Sequence, residues 1–118
     1  MRIKGLMILA MLLLLFWQCS DNPMAPETRA DNEVWVQFRK FVPSQLTVSK
    51  GTRVTWTNKD NEVHTVDSGT EMSPTGLFNL TLDEDGGEKD FQSFTFSNSG
   101  IFEYYCGIHG ETGKIIVQ

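Results

Sequence analysis

Histidine and cysteine are scarce in this chain, with two of each among 118 residues. Cys19 lies at the end of the N-terminal leader, so Cys106 has no partner for a disulfide in the body of the chain. Methionine does not occur after Met72. Positive charge is also thin: 10 Lys and Arg stand against 15 Asp and Glu, a net charge of −5. Setting aside Arg2 and Lys4 leaves 8 basic residues against the 15 acidic ones, or −7. That balance excludes nucleic acid as a partner, because phosphate binding needs a basic surface. It favours a cationic protein partner. No stretch carries the i, i+3, i+4, i+7 spacing of an amphipathic helix.

The first 18 residues stand apart. Arg2 and Lys4 give a short basic start, Leu6 to Trp17 is an unbroken apolar run, and Gln18 to Asn22 turns polar. This is the layout of a secretory signal, and the run is short of the ~20 apolar residues needed to span a bilayer. Cys19 sits where a lipoprotein signal places its acylated cysteine, although Phe16-Trp17-Gln18 lacks the small residues usual before such a site. Residues 1–18 are therefore read as a signal peptide or lipoprotein leader. Residues 19–32, with Pro23 and Pro26, are read as a flexible tether. The expected location is exported: periplasmic, or extracytoplasmic and held to a membrane only through the leader or a lipid at Cys19. An exported domain normally pairs its cysteines. A lone Cys106 in such a compartment is a liability unless it is buried or bound to metal.

Residues 33–118 alternate with period two. Val34, Val36 and Phe38 alternate with polar or bulky neighbours; so do Leu46 and Val48, Val54 and Trp56, Phe78 to Leu82, Phe94 and Phe96, Phe102 to Cys106, and Ile115 and Val117. Turn residues separate them: Lys50-Gly51, Asn58 to Asn61, Asp83 to Asp90, and Asn98-Ser99-Gly100. Short strands at regular spacing predict one all-β domain, an antiparallel sandwich. Gly69 to Gly76, with Met72, reads as a flexible loop.

Both histidines and the unpaired cysteine fall into one constellation. Cys106-Gly107-Ile108-His109 is a Cys-x-x-His pair, and His64 lies 42 residues before Cys106. Two imidazoles and one thiolate describe the equatorial plane of a blue-copper site, completed by a weak, long axial ligand. Cys-x-x-His also suits structural zinc. The alternation puts Cys106 on the side of Phe102 and Tyr104, so it enters from the core. His109 follows in the loop Gly107 to Gly113, and Thr65, next to His64, reads either as a support whose backbone N–H meets the cysteine sulfur or as a simple strand residue.

The ordered residues carry a resemblance. Phe41-x-Pro43-x-x-Leu46-x-Val48-x-x-Gly51-x-x-Val54-x-Trp56-x-Asn58-x-Asp60 precedes His64-Thr65-Val66. Phe94-x-Phe96-x-x-x-Gly100-x-Phe102-x-Tyr104-x-Cys106-x-x-His109 then runs into Gly113-x-Ile115-x-Val117. Over residues 34–118 the chain resembles the cupredoxins, closest to their small plastocyanin- and halocyanin-like members. The resemblance implies a Greek-key β-sandwich, one mononuclear copper ion, ligation by His64, Cys106 and His109, and one-electron transfer between redox partners. A basic cytochrome would suit the acidic surface, and a monomer is expected. The chain is then an electron carrier rather than an enzyme.

One departure stands out. Family members place an axial Met three to five residues after the second ligand histidine, where this chain has Thr112, Gly113 and Lys114. The candidates for the axial position are the Glu111 carboxylate, the Thr112 hydroxyl, the Val63 carbonyl, water, Met72, or nothing. Glu111 ranks first as the strongest donor in the loop; its alternative reading is a solvated loop acid. A carboxylate lowers the reduction potential, whereas an empty position raises it or admits a small ligand. Two rival functions follow: a copper-binding or delivery protein, and a small copper enzyme using an open or carboxylate-bound axial position. Asp83, Glu84, Asp85, Glu88 and Asp90 form an acidic loop, either simply solvated or a docking patch for a basic partner.

Overall fold

The computed structural model describes residues 27–118; the leader, Cys19 and the first part of the tether lie outside the described residues. Nine strands follow one another: β1 (Glu33–Gln37), β2 (Lys40–Val42), β3 (Gln45–Val48), β4 (Arg53–Asn58), β5 (His64–Thr70), β6 (Ser73–Leu82), β7 (Phe91–Thr95), β8 (Gly100–Tyr105) and β9 (Thr112–Val117). They form a four-stranded sheet, β2-β1-β4-β7, and a five-stranded sheet, β3-β9-β8-β5-β6. The all-β sandwich expected from the alternation is the architecture found.

The inward residues of both sheets make the core. Val34, Val36, Val54 and Trp56 come from one sheet and Val66, Leu82, Tyr104 and Ile115 from the other, each at most 1% exposed. Burying each such side chain stabilises the fold by roughly 1.5–3 kcal/mol. Trp56 bridges the sheets, meeting Tyr104 edge-on at 5.4 Å between ring centroids. Phe41 meets the other side of Tyr104 at 4.7 Å.

Three expectations are corrected. The sandwich is not wholly antiparallel: β1 runs parallel to β4 and β3 parallel to β9. The chain leaves the first sheet after β2, lays β3 beside β9, and returns as β4 beside β1, so each return is a crossover. Phe38 does not continue the inward row. It is 82% exposed, because β1 ends at Gln37 and Phe38 and Arg39 turn with φ of 53° and 55°. Residues 69–76 are not a loose loop either. Thr70 pairs with Ser73 and Gly69 with Pro74, so β5 and β6 form a hairpin with Glu71 and Met72 at its tip.

That hairpin sets the molecule's polarity. His64 opens β5 opposite Leu82 at one end, while Met72 is 95% exposed beyond the other. Six residues of strand at about 3.3 Å each separate His64 from Thr70 by about 20 Å. Met72 is thereby excluded from the axial position.

Candidate metal centre

His64, Cys106, His109 and Glu111 converge at the end of the sandwich where β5 begins and β8 ends, each offering a donor atom within 4.8 Å of the others. Cys106 follows β8 directly and is fully buried. A tight turn then brings His109 back: Gly110 N–H donates to the Cys106 carbonyl at 2.9 Å, with Gly110 at φ 86°. Cys106 N–H donates to the Glu111 carbonyl at 2.8 Å and closes the loop. Across the sheet, Gly107 N–H donates to Thr65 Oγ1 at 2.7 Å, and Thr65 Oγ1 donates to Asp67 Oδ2 at 2.9 Å. Thr65 N–H points at Cys106 Sγ at 3.4 Å, as the sequence suggested.

The donor atoms form a triangle. Cys106 Sγ lies 3.8 Å from His64 Nδ1 and 3.8 Å from His109 Nδ1, and the two nitrogens are 3.1 Å apart. Its centre is about 2.1 Å from each corner, within the range of metal–imidazole and metal–thiolate bonds of about 2.0–2.3 Å. Both imidazoles present Nδ1, so they address one point.

Glu111 is no solvated acid. Its side chain is 7% exposed, with Oε1 2.6 Å from His64 Nδ1. Its Oε2 is buried without a hydrogen-bond partner. A buried carboxylate oxygen left unpaired is costly, and a cation among these four residues would answer it. Thr112, the alternative beside it, is exposed and starts β9 on the outward row, since Ile115 and Val117 take the inward one. The residues present fit a metal ion bound by two nitrogens, one thiolate and one carboxylate oxygen.

Four contributors were not recognisable as such in the sequence. Asp60 Oδ2 lies 2.9 Å from His64 Nε2, and Glu62 Oε2 lies 3.3 Å from His109 Nε2. Arg39 grips Glu62 through Nε and Nη2 at 2.6 and 2.8 Å. That guanidinium holds the Glu62 carboxyl well down, at about 2. Asn58, buried at the end of β4, ties the segment together: its Nδ2 donates to the carbonyls of Glu62 and Asp83, and its Oδ1 accepts from Asp60 N–H. Asn58 and Asp60 occur in the ordered residues before His64, but nothing in the sequence assigns them a part in the site.

The acidic loop lies beside this end, with Asp85 N–H donating to the Asp60 carbonyl at 2.8 Å. Asp83 and Asp90 serve the loop itself, their carboxylates accepting from the N–H groups of Lys89 and Gly86. Glu84, Asp85 and Glu88 remain exposed.

Known proteins are similar to this chain in sequence and fold. A family model described as a cupredoxin-like domain matches residues 6–117. A chloroplastic plastocyanin of Tetradesmus obliquus is 32% identical over 88 residues, covering 66% of this chain and 58% of that protein's own length. A plastocyanin of Sambucus nigra is 28% identical over 86 residues, covering 66% of this chain and 87% of its own. Among solved structures, a purple cupredoxin from Nitrosopumilus maritimus superposes with a TM-score of 0.63 at 26% identity, covering 73% of this chain and 98% of that one. An amicyanin from Paracoccus versutus shares the fold with a TM-score of 0.61 at 20% identity, covering 80% of this chain and 86% of its own. With the sandwich, the converging donors and a family match over nearly the whole sequence, the chain belongs to the cupredoxin-like family.

Proposed function

We propose that this protein is an extracytoplasmic electron carrier whose His64, Cys106 and His109 would hold one mononuclear copper ion, with Glu111 as a fourth ligand. The observation that carries the reading is the donor triangle, whose centre suits one small ion, with a buried, half-unpaired carboxylate beside it. Two nitrogens and a thiolate in trigonal array are the donor set of one-electron copper sites. A bound copper ion would supply the one-electron couple, and the chain's own residues do the rest. Cys106, 0% exposed, is kept from solvent oxidants. Thr65 N–H directs the sulfur, and the Cys106–Glu111 backbone bond fixes the loop that carries three of the four donors. Such prior ordering limits movement between oxidation states.

Glu111 favours this reading over a copper enzyme with an open position, since its carboxylate occupies the space a small ligand would need. It equally distinguishes the site from one with a thioether, because a charged donor stabilises Cu(II). We further infer that residues 1–18 are an export leader, 19–32 a tether and 33–118 the working domain. The protein would then act in the periplasm or at the outer face of a membrane, anchored only through the leader or Cys19. Its redox partner is a basic protein such as a cytochrome, docking near Glu84, Asp85 and Glu88.

Copper reconstitution tests the proposal. The Cu(II) protein should show an intense thiolate-to-copper absorption, reduce reversibly by one electron, and lose the band in Cys106→Ala. A weak band in the parent protein, or a strong one surviving in Cys106→Ala, refutes it.

A further inference from the structure

The turn between β1 and β2 is built in an unfavourable conformation. Phe38 and Arg39 both have positive φ, 53° and 55°, which residues with a Cβ rarely adopt. Neither is glycine, asparagine or aspartate. Backbone strain of this kind persists only where the surroundings enforce it. Here the enforcing group is Asp60, whose Oδ1 accepts from Phe38 N–H at 2.7 Å and whose Oδ2 accepts from Arg39 N–H at 2.9 Å. The Arg39 side chain meanwhile forks onto Glu62. One two-residue turn thus holds two carboxylates.

Those carboxylates reach the two imidazoles from behind. His64 turns Nδ1 toward the donor triangle and Nε2 toward Asp60; His109 turns Nδ1 toward the triangle and Nε2 toward Glu62. A carboxylate on the remote N–H of a ligating imidazole fixes its tautomer and ring angle and makes the metal-bound nitrogen a stronger donor. Stronger donation benefits the more highly charged metal state. Building on the copper reading above, we infer that the β1–β2 turn is a positioning device: through Asp60 and Glu62 it orients both ligand imidazoles and biases the site toward Cu(II). Asp60, with its side chain 12% exposed, exerts the larger effect, and Glu62, at 37%, is more screened by water.

The test compares Asp60→Asn and Glu62→Gln with Glu71→Gln, at the far tip of the β5–β6 hairpin. Each variant removes one negative charge and keeps an oxygen acceptor. The readout is the ratio of Cu(II) to Cu(I) affinity, from the reduction potential and competition with chelators, on full-length protein whose fold is checked by circular dichroism. Asp60→Asn should lower the ratio by about tenfold or more, Glu62→Gln by less, and Glu71→Gln not at all, with the thiolate band retained throughout. If Asp60→Asn fails to fold, Glu62→Gln decides alone, because Glu62 and its closest partner, Arg39, are at the surface and neither is part of the core. Ratios in both variants equal to that of Glu71→Gln overturn the inference, leaving Asp60 and Glu62 as holders of the turn. A parent protein without the charge-transfer band overturns the copper reading and this inference with it; a coloured parent with unmoved variants overturns this inference alone.

Discussion

Replacing Glu111 by Gln should raise the reduction potential more than any other single conservative change. The substitution keeps the size and an oxygen donor and deletes one charge. Glu111 Oε1 is 2.6 Å from His64 Nδ1, and the four donors lie within 4.8 Å of one another, so the charge stands about 4 Å or less from the metal position. With its side chain 7% exposed, water screens it little. Two unit charges about 4 Å apart interact by about 4 kcal/mol at an effective dielectric of about 20. For a one-electron couple each tenfold step is about 1.4 kcal/mol or about 59 mV, so the loss is nearly three steps, roughly 170 mV. Protein-film voltammetry of the parent and Glu111→Gln proteins measures it, with visible and electron paramagnetic resonance spectra expected to change in parallel. A shift below about 59 mV with unchanged spectra would show that the carboxylate does not act on the metal.

Three further outcomes are expected. In Gly113→Ala the new methyl would fall inside contact distance of the Tyr104 ring, which Trp56 and Phe41 hold in place; a cost of about 1–3 kcal/mol and a melting temperature lower by about 4–8 °C per kcal/mol should appear in thermal unfolding, and an unchanged melting temperature would contradict the packing. Burial pushes the Tyr104 hydroxyl well above the ordinary tyrosine range; the folded protein keeps a proton that the unfolded chain releases, so stability is full below about pH 10 and falls as pH rises beyond it, whereas Tyr104→Phe should flatten that decline in denaturant titrations. Electron transfer to a basic cytochrome should slow as salt rises, since exposed charges are screened over about 8–10 Å; reversing Glu84, Asp85 and Glu88 should remove most of that dependence, and an unchanged salt slope would mean the loop is merely solvated.

The strands were legible where one face is buried. Val34 and Val36, Val54 and Trp56, and Tyr104 and Cys106 alternate because each sheet has one dry side. Alternation says nothing about neighbours, so the parallel pairs β1/β4 and β3/β9 were hidden. It also misplaced Phe38, whose apolar character extends the row although the strand has ended. Nothing in Phe38-Arg39 signals a left-handed turn, because the cause is a carboxylate more than twenty residues away. The donors His64, Cys106 and His109 stood out through rarity and spacing. Asp60 and Glu62 did not, being two among 15 acidic residues and distinguished only by folding. Glu111 was visible as a donor but not as a buried one, since a six-residue loop does not reveal which way its side chains fall.

The backbone bond from Cys106 to Glu111 has a consequence for how such a site can be altered. It ties the neck of the segment that carries Cys106, His109 and Glu111, while β8 and β9 pair in continuous register beyond it, from Tyr105 with Thr112 to Gly100 with Val117. The segment is therefore a cassette. An exchange of Ile108, which lies between Cys106 and His109, should leave the register of both strands in place. The scaffold retains His64 and its supports in a separate part of the chain, so a transplanted segment meets a fixed half-site. Coordination chemistry can thus change by exchange of one short peptide while the fold stays as it is.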